Sequence, residues 1–424
     1  MPTTAVLNYE RSFFDWYLMP ESFSAPLVEE AIEEHGLKTG QIILDPFSGT
    51  GTTILAAKFQ GLNGVGIEVN PFLCFAARVK THLDYNLQSL EADINLVLKE
   101  AEPRLARLSL NLPLFSSETT VRETTPEYPL PTPQMPRLYK WMSKRVVEKV
   151  LELKGSILLL PPGPHRDLCL LALAAILRPV SNMKLTPHAF GSRVEKKDAP
   201  VFNAFLKKIK KMFADLEQAQ AWEVQFGTTD VIESDIRCSG NIDHSLLPAD
   251  FVITSPPYLN NLDYTMQTRL ELFFLDFVKD MNELRKLRKR MIISDAKAMY
   301  KDIKDHEMIA SFPSVQSIVE QLRERLKDKN WGWDYAFMTA QYFGGMYRTL
   351  RQVRDLIKPG ARLIVVVGES AHSGVFVPVP KIIGELGMAV GYELEETRIL
   401  RTRRSSSHKF SLAESAVVLR KPVA

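Results

Sequence analysis

Ile42-Ile43-Leu44-Asp45-Pro46-Phe47-Ser48-Gly49-Thr50-Gly51-Thr52-Thr53 reads as a strand, a glycine turn and the start of a helix. The helix continues from Thr52 to Phe59, with apolar Ile54, Leu55, Ala57 and Phe59. Gly49 and Gly51 let the backbone turn tightly and approach a ligand. The helix start adds free N–H groups and the positive end of a dipole. A dinucleotide site would need G-x-G-x-x-G, and here Thr53 and Ile54 stand where that spacing fails. A phosphate loop would need a Lys after the last glycine, and Thr52 is there instead. Asp45, at the strand end, would repel phosphates and attract a cationic or amino-bearing ligand.

The next strand, Gly64 to Asn70, carries Glu68 near its end, 23 positions beyond Asp45. An acid about 20 residues past a glycine loop is where doubly wound folds hold a ribose. A third strand runs through Val231-Ile232-Glu233-Ser234-Asp235, again with an acid at its end. Each acid alone is equally satisfied by a solvated strand end. Together they fit a nucleoside with a ribose, an amino-purine and a sulfonium in place of phosphates, which is S-adenosylmethionine.

A second motif lies far downstream. Asp250 to Ile253 reads as a buried strand leading into Thr254-Ser255-Pro256-Pro257-Tyr258. Two prolines fix φ twice and remove two backbone donors, so the nearby carbonyls are held stiffly with no adjacent amide to neutralise them. A hydroxyl before the turn and an aromatic ring after it suit a flat ring bearing an amino group. By itself the pentapeptide is also an ordinary proline corner.

D-P-F-S-G-T-G-T-T together with T-S-P-P-Y resembles the family of S-adenosylmethionine-dependent methyltransferases that modify exocyclic amines of DNA bases. Phe23-Ser24-Ala25-Pro26, before a helix over Leu27 to His35, is similar to the family's upstream cofactor element. Tyr342 to Met346, read as opening a helix, then Lys358 to Arg362 and a strand over Leu363 to Val367, resemble the segment after the catalytic motif. Arg403 to Lys409 and Glu414 to Leu419 resemble its closing hairpin. The two central motifs are highly specific and the flanking matches weaker. The resemblance implies a mostly parallel, doubly wound, seven-stranded Rossmann-like α/β sheet with an antiparallel closing hairpin and a largely helical inserted recognition region. It implies cofactor contacts from Phe23, Asp45, Pro46, Phe47, Gly49, Gly51, Thr52, Glu68, Asn70, Asp235 and Thr254. Catalysis falls to Ser255, Pro256, Pro257 and Tyr258. Within the family, Ser at the first motif position leans to cytosine N4, and Asp or Asn to adenine N6. The implied partner is double-stranded DNA, and a cognate restriction endonuclease fits a protective methyltransferase. Adenine in DNA, structured RNA and a protein glutamine amide remain open as acceptors.

The chemistry follows from residue types. An exocyclic amine is a poor nucleophile because its lone pair is delocalised into the ring. Hydrogen bonds to Ser255 Oγ and the Pro256 carbonyl favour a pyramidal nitrogen and stabilise charge that develops in the transition state. Positioning an in-line attack supplies much of the rate. A base in a duplex cannot reach such a pocket and must be flipped out, to stack on Tyr258. Cytosine C5 methylation would need a Cys nucleophile. Cys74, Cys169 and Cys238 are isolated, with no Pro-Cys or C-x-x-C context, and read as buried small hydrophobes. Neither a zinc site nor a disulfide framework is indicated.

The chain has 424 residues, 45% hydrophobic and 24% charged, an ordinary globular composition. No basic start followed by an apolar stretch reads as a secretory signal, and runs such as Leu168 to Leu177 are too short to span a bilayer. A cytoplasmic, prokaryotic enzyme is expected. A net charge of +3 is mild, so DNA contact must come from local patches. The candidates are Lys207 and Lys208, Arg288 within Arg285 to Arg290, and Arg403 with Arg404, beside Asn260 and Tyr264 after the catalytic turn. Solvated helix faces account equally well for the first two groups.

The organisation is a catalytic domain interrupted by an insertion. Residues 1–98 form the cofactor half and 99–228 a linker and recognition region. Residues 229–280 carry the catalytic motif, 281–330 are a helical excursion, and 331–424 complete the sheet. A proline-rich stretch, Pro113 to Pro136, opens the insertion; helices are expected over Leu138 to Leu153, Arg166 to Leu177 and Val201 to Ala221.

Overall fold

The computed structural model describes residues 4–109, 130–183, 195–238, 242, 245–298, 300–328, 334–404 and 410–423. Most of the proline stretch, the Trp331-Gly332-Trp333 segment and the hairpin turn Ser405 to Lys409 lie outside these residues. Helix α1 (Ala25–Glu34) precedes strand β1 (Ile42–Asp45), α2 (Thr52–Phe59), β2 (Asn63–Glu68) and α3 (Pro71–Thr81). The insertion contributes α4 (Leu87–Ser109), α5 (Leu138–Trp141), α6 (Lys144–Ile157), α7 (Pro164–Val180) and α8 (Val201–Gln220). Then come β3 (Thr229–Glu233), β4 (Ala249–Thr254), α9 (Tyr264–Gln267), α10 (Arg269–Phe274) and α11 (Met281–Arg290). A 3₁₀ turn (Asp305–Ile309), α12 (Pro313–Leu326) and α13 (Tyr335–Asp355) lead to β5 (Ile357–Gly368). A small hairpin, β6 (Ser370–His372) and β7 (Val375–Val377), precedes α14 (Val379–Val390), β8 (Glu393–Arg404) and β9 (Ser411–Arg420).

The main sheet has seven strands in the order β3-β2-β1-β4-β5-β9-β8. β1 pairs in parallel with β2 and β4, β2 with β3, and β4 with β5. β9 runs antiparallel to both β5 and β8. The sheet is therefore the expected mostly parallel, doubly wound α/β sheet with an antiparallel strand at its closing end. Its strands read as continuous apolar runs because both faces are covered. Successive residues alternate faces: Ile43, Phe251, Ile253, Ile364 and Val366 join one core, and Leu44, Val252, Leu363, Val365 and Val367 the other.

The inserted helices are built into the first core. Val147, Val150, Leu171, Phe205 and Met212 belong to the same buried cluster as Val28, Leu55 and Phe72. Helix α4 crosses residue 98 without a break. Two readings of the sequence are corrected. Tyr342 to Met346 do not open a helix: α13 begins at Tyr335, capped by the Asp334 side chain, which accepts from Phe337 N at 2.7 Å. The glycine pair there is a packing device within the helix, not a turn. Cys74 and Cys169 are buried, whereas Cys238, beyond the end of β3, is exposed.

The parallel strands end together. Asp45 closes β1, Glu68 closes β2, Thr254 closes β4, and Asp235 lies two residues beyond β3. In an open parallel sheet a ligand sits beyond the carboxyl ends of the strands, where the order reverses. Here the reversal falls between β1 and β4.

Candidate active site

A cavity of about 650 Å³ lies at that reversal. Its wall includes Phe23, Pro46, Phe47, Gly49, Thr52, Glu68, Asn70 and Asp235 on one side, and Ser255, Pro256, Pro257, Tyr258, Asn260 and Tyr264 on the other. The two motifs, distant in sequence, meet in one chamber within the usual size range for small-ligand sites.

Asp45 makes the junction, but not as an exposed anion. It is 1% exposed and absent from the cavity wall. Its Oδ1 accepts from Thr254 Oγ1 at 2.7 Å and from Phe47 N at 3.1 Å, and its Oδ2 accepts from Thr53 Oγ1 at 2.6 Å. One carboxylate thus ties the glycine loop, the first turn of α2 and the last residue of β4. Burial pushes its pKa up to about 6, with the two threonine hydroxyls and the Phe47 amide opposing the rise. Asp45 and Thr254 shape the chamber from behind.

Gly51 is needed where it stands. Its φ is +80°, and an added Cβ would lie 2.9 Å from the Cβ of Ala77 on α3. The turn therefore presses against α3, and Gly51 itself does not line the cavity. The Gly49 amide donates to Glu68 Oε2 at 2.9 Å, while Glu68 Oε1 accepts from Val69 N at 3.0 Å and Asn70 N at 2.8 Å. Those three amides oppose a rise caused mainly by burial, which carries the Glu68 pKa to about 7. Asn70 caps α3 and donates through Nδ2 to Thr268 Oγ1 at 2.9 Å. It links the cofactor side to the segment after the catalytic turn.

Asp235 is held by one residue. Arg237 donates to its Oδ1 through Nε at 2.9 Å and through the backbone N at 3.0 Å, and to its Oδ2 through Nη2 at 2.7 Å. On the catalytic side, Tyr258 N donates to Tyr264 Oη at 2.8 Å, and Tyr258 Oη donates to Glu414 Oε1 at 2.7 Å. Arg401 Nε in turn donates to Glu414 Oε2 at 2.6 Å. The Tyr258 ring is thus fixed at both ends. Burial, then the Glu414 charge, hold its phenol well above the usual range.

The candidate DNA contacts divide. Asn260, Tyr264 and Arg403 reach the cavity; Arg404, Lys207, Lys208 and Arg288 do not. Lys208 Nζ donates to the Asp15 carbonyl at 3.0 Å, and Arg288 pairs with Asp295 at 2.8 Å and Asp263 at 3.4 Å. Those two cations brace the fold. Several wall residues escaped the sequence reading: Met19 to Ser22, Tyr335, Ser370 to Ser373 and Glu414. Arg290 and Arg401, which belong to basic runs that are candidate phosphate contacts, also line the wall. Ser370 and His372 have no local motif, yet both touch the carbonyl of Leu259, the residue after the turn.

Some buried polar atoms on this wall have no hydrogen-bond partner among the described residues: Ser48 Oγ, Asn260 Oδ1 and both carboxylate oxygens of Glu21. Buried polar groups are normally satisfied, so such a wall suits a ligand rich in N–H and O–H donors.

Comparison with known proteins agrees with this geometry. The profile of the N6/N4 methyltransferase family, described as DNA methylase, matches residues 6–78, which span α1, β1, the glycine loop, β2 and most of α3. The chain is 24% identical to the Type II methyltransferase M.BsoBI of Geobacillus stearothermophilus, across 98% of this chain and 86% of that protein. It is 24% identical, with the same coverage, to the Type II methyltransferase M.AvaI of Anabaena variabilis. A local match of 41% identity to the Type II methyltransferase M.MjaII of Methanocaldococcus jannaschii covers 16% of this chain and 13% of that one. With both motifs in one chamber at the carboxyl ends of a seven-stranded sheet, the chain is similar to the N6/N4 DNA methylases over residues 6–78 and to Type II methyltransferases over nearly its whole length.

Proposed function

We propose that this protein is a Type II DNA methyltransferase that uses S-adenosylmethionine to methylate the exocyclic N4 amine of a flipped cytosine within a specific duplex sequence. The observation that carries the reading is the Asp45–Thr254 hydrogen bond, 2.7 Å long, which locks the glycine loop to the catalytic turn at one end of the sheet. The full-length relatives named as Type II methyltransferases support a restriction–modification setting, with a cognate endonuclease as the partner.

The wall fits the cofactor in kind. Glu68 and Asp235 offer carboxylate oxygens to hydroxyl and amino donors, and Ser48 Oγ in the loop is buried without a partner among the described residues. Phe23, Pro46, Phe47, Gly49, Thr52 and Asn70 supply the surrounding surface. When bound, the cofactor supplies an activated methyl group. The chain's own residues orient the acceptor: Ser255 Oγ and the Pro256 carbonyl receive the amine's N–H bonds, and Tyr258 offers its face to the base. No strong base is required, because the nitrogen becomes acidic once alkylated.

Ser255, a neutral residue at the first motif position, supports cytosine over adenine. Mass spectrometry of nucleosides from duplex DNA incubated with the protein and S-adenosylmethionine tests this. N4-methylcytosine is the expected product; N6-methyladenine as the sole product would reject the cytosine assignment and leave the amine chemistry standing.

Target recognition is assigned to residues 99–228 with help from 281–330, on their position between and after the motifs. Positive charge beside the cavity comes from Arg290, Arg401 and Arg403, while Lys208 and Arg288 are engaged elsewhere. Asp45→Ala is expected to weaken S-adenosylhomocysteine binding about 10- to 100-fold, because three hydrogen bonds to one charged group are lost together. Calorimetric titration showing unchanged affinity would contradict the clamp.

A further inference from the structure

We propose that Glu21 is the anionic contact for the ammonium group on the cofactor's amino-acid tail. This rests on the S-adenosylmethionine reading above. Four carboxylates line the cavity: Glu21, Glu68, Asp235 and Glu414. Three are already engaged. Glu68 accepts three backbone amides, Asp235 is gripped by Arg237, and Glu414 holds Tyr258 and Arg401. Both oxygens of Glu21 are buried and have no hydrogen-bond partner among the described residues. Taking a carboxylate out of water without a partner is costly, so a wall of this kind is completed by something that brings N–H donors and positive charge.

The position of Glu21 selects which end of a ligand it meets. Its charge is felt by the phenols of Tyr17 and Tyr264, and Tyr264 accepts the backbone N–H of Tyr258. Glu21 therefore shares the cavity wall with Tyr264, which touches the catalytic turn. That turn begins with the neutral Ser255 and brings no anion of its own. The cation nearest Glu21 is Arg178 on α7; its Nη2 donates to Gln267 Oε1 at 2.9 Å and its charge opposes the rise in the Glu21 pKa, but no hydrogen bond joins it to Glu21. Of the four wall carboxylates, Glu21 is the one left without a hydrogen-bond partner among the described residues for the charged tail of a nucleoside held by Glu68 and Asp235.

The contact has a pH signature. Burial pushes the Glu21 pKa up to about 7. The groups facing it are Arg178 from α7, Tyr17 from the segment before α1 and Tyr264 from α9, with Glu271 of α10 beside Tyr17. A cationic ligand favours the ionised form, so binding releases a proton. Affinity should then fall as pH is lowered through 7, where Glu21 becomes neutral.

The test is calorimetry on the full chain with two probes: S-adenosylhomocysteine, which carries the ammonium tail, and 5′-methylthioadenosine, which lacks it. Glu21→Gln keeps size and shape while removing the charge. The expected result is a loss of S-adenosylhomocysteine affinity of about 10- to 100-fold with methylthioadenosine binding unchanged. The pH dependence that S-adenosylhomocysteine binding shows beyond that of methylthioadenosine between about pH 6 and 8 should disappear in the variant, the part common to both probes belonging to Glu68. Equal weakening of both probes would show a structural role and overturn the proposal. So would unchanged S-adenosylhomocysteine affinity, including the case where only turnover falls and Glu21 meets the target amine. A wild-type chain that binds neither probe would instead overturn the cofactor reading, and this proposal with it.

Discussion

Arg237→Met is expected to destabilise the protein by about 3–5 kcal/mol, read as a lower urea midpoint at an unchanged slope. Arg237 is 6% exposed and sits between two carboxylates. Its Nη1 donates to Asp305 Oδ2 at 2.5 Å, and its Nη2 to Asp235 Oδ2 at 2.7 Å. Asp305 is 1% exposed and also accepts from Arg348 Nη1 at 2.6 Å. Met fills similar space without charge, so the variant leaves Asp235 without its arginine and Asp305 with Arg348 alone. Breaking a buried pair on one side is far worse than never having built it, because the remaining charge stays out of water. The same seat is closed by Gly344 on α13, where an added Cβ would lie 1.9 Å from the Asp305 carbonyl oxygen. Gly344→Ala therefore cannot be accommodated without moving the 3₁₀ turn away from α13. A midpoint shift below that expected for about 1 kcal/mol in Arg237→Met would show that the network does not hold this junction.

What could be read in the sequence was whatever local chemistry dictates. The glycine loop, the acid ending β2 and the double-proline turn each need particular residues at short spacing, so each is visible in a dozen positions. The doubly wound sheet follows, since apolar strands buried on both faces with helices between them have few other arrangements. Long-range partners were not visible. Lys208 looked like a phosphate contact because its neighbours are also lysines, but its partner, Asp15, lies 193 residues away. Glu414 sat unassigned within the closing hairpin, although it bonds the hydroxyl of Tyr258, 156 residues away. Gly344 and Gly345 suggested the opening of a helix, yet close packing, not turning, is what demands a glycine at 344.

Asp45 shows the same limit within the glycine-loop motif. Residue type and position marked it for the site. Which way its carboxylate faces depended on Thr254, brought in by a parallel strand that sequence spacing cannot place. The site therefore has an inner frame and an exposed wall. Asp45, Thr53, Thr254 and Gly51 belong to the frame; Glu68, Asp235, Ser255 and Tyr258 form the wall.

Ser255→Ala is expected to lower kcat about 10²- to 10³-fold while leaving S-adenosylhomocysteine affinity unchanged. That is the usual effect of deleting one hydrogen-bonding group aimed at charge that develops in the transition state. The backbone is held here, although the Ser255 hydroxyl also reaches the Tyr258 phenol, which Glu414 keeps in place when Oγ is removed. Ser255 follows Thr254, whose hydroxyl is anchored on Asp45, and precedes two prolines with fixed φ, so the backbone holds its course when Oγ is removed. Tyr258→Ala separates a second contribution. It removes the ring that Glu414 and Arg401 hold in place, and loss of one base–aromatic stack costs about 1–3 kcal/mol, roughly 5- to 150-fold in binding of the flipped base. The two variants should therefore differ in kind: Ser255→Ala in kcat with KM for DNA little changed, and Tyr258→Ala chiefly in KM for DNA. Steady-state kinetics on a duplex containing the recognition sequence would resolve them. If Ser255→Ala raised KM and spared kcat, its hydroxyl would be holding the base in the ground state, and activation of the amine would fall to the Pro256 carbonyl alone.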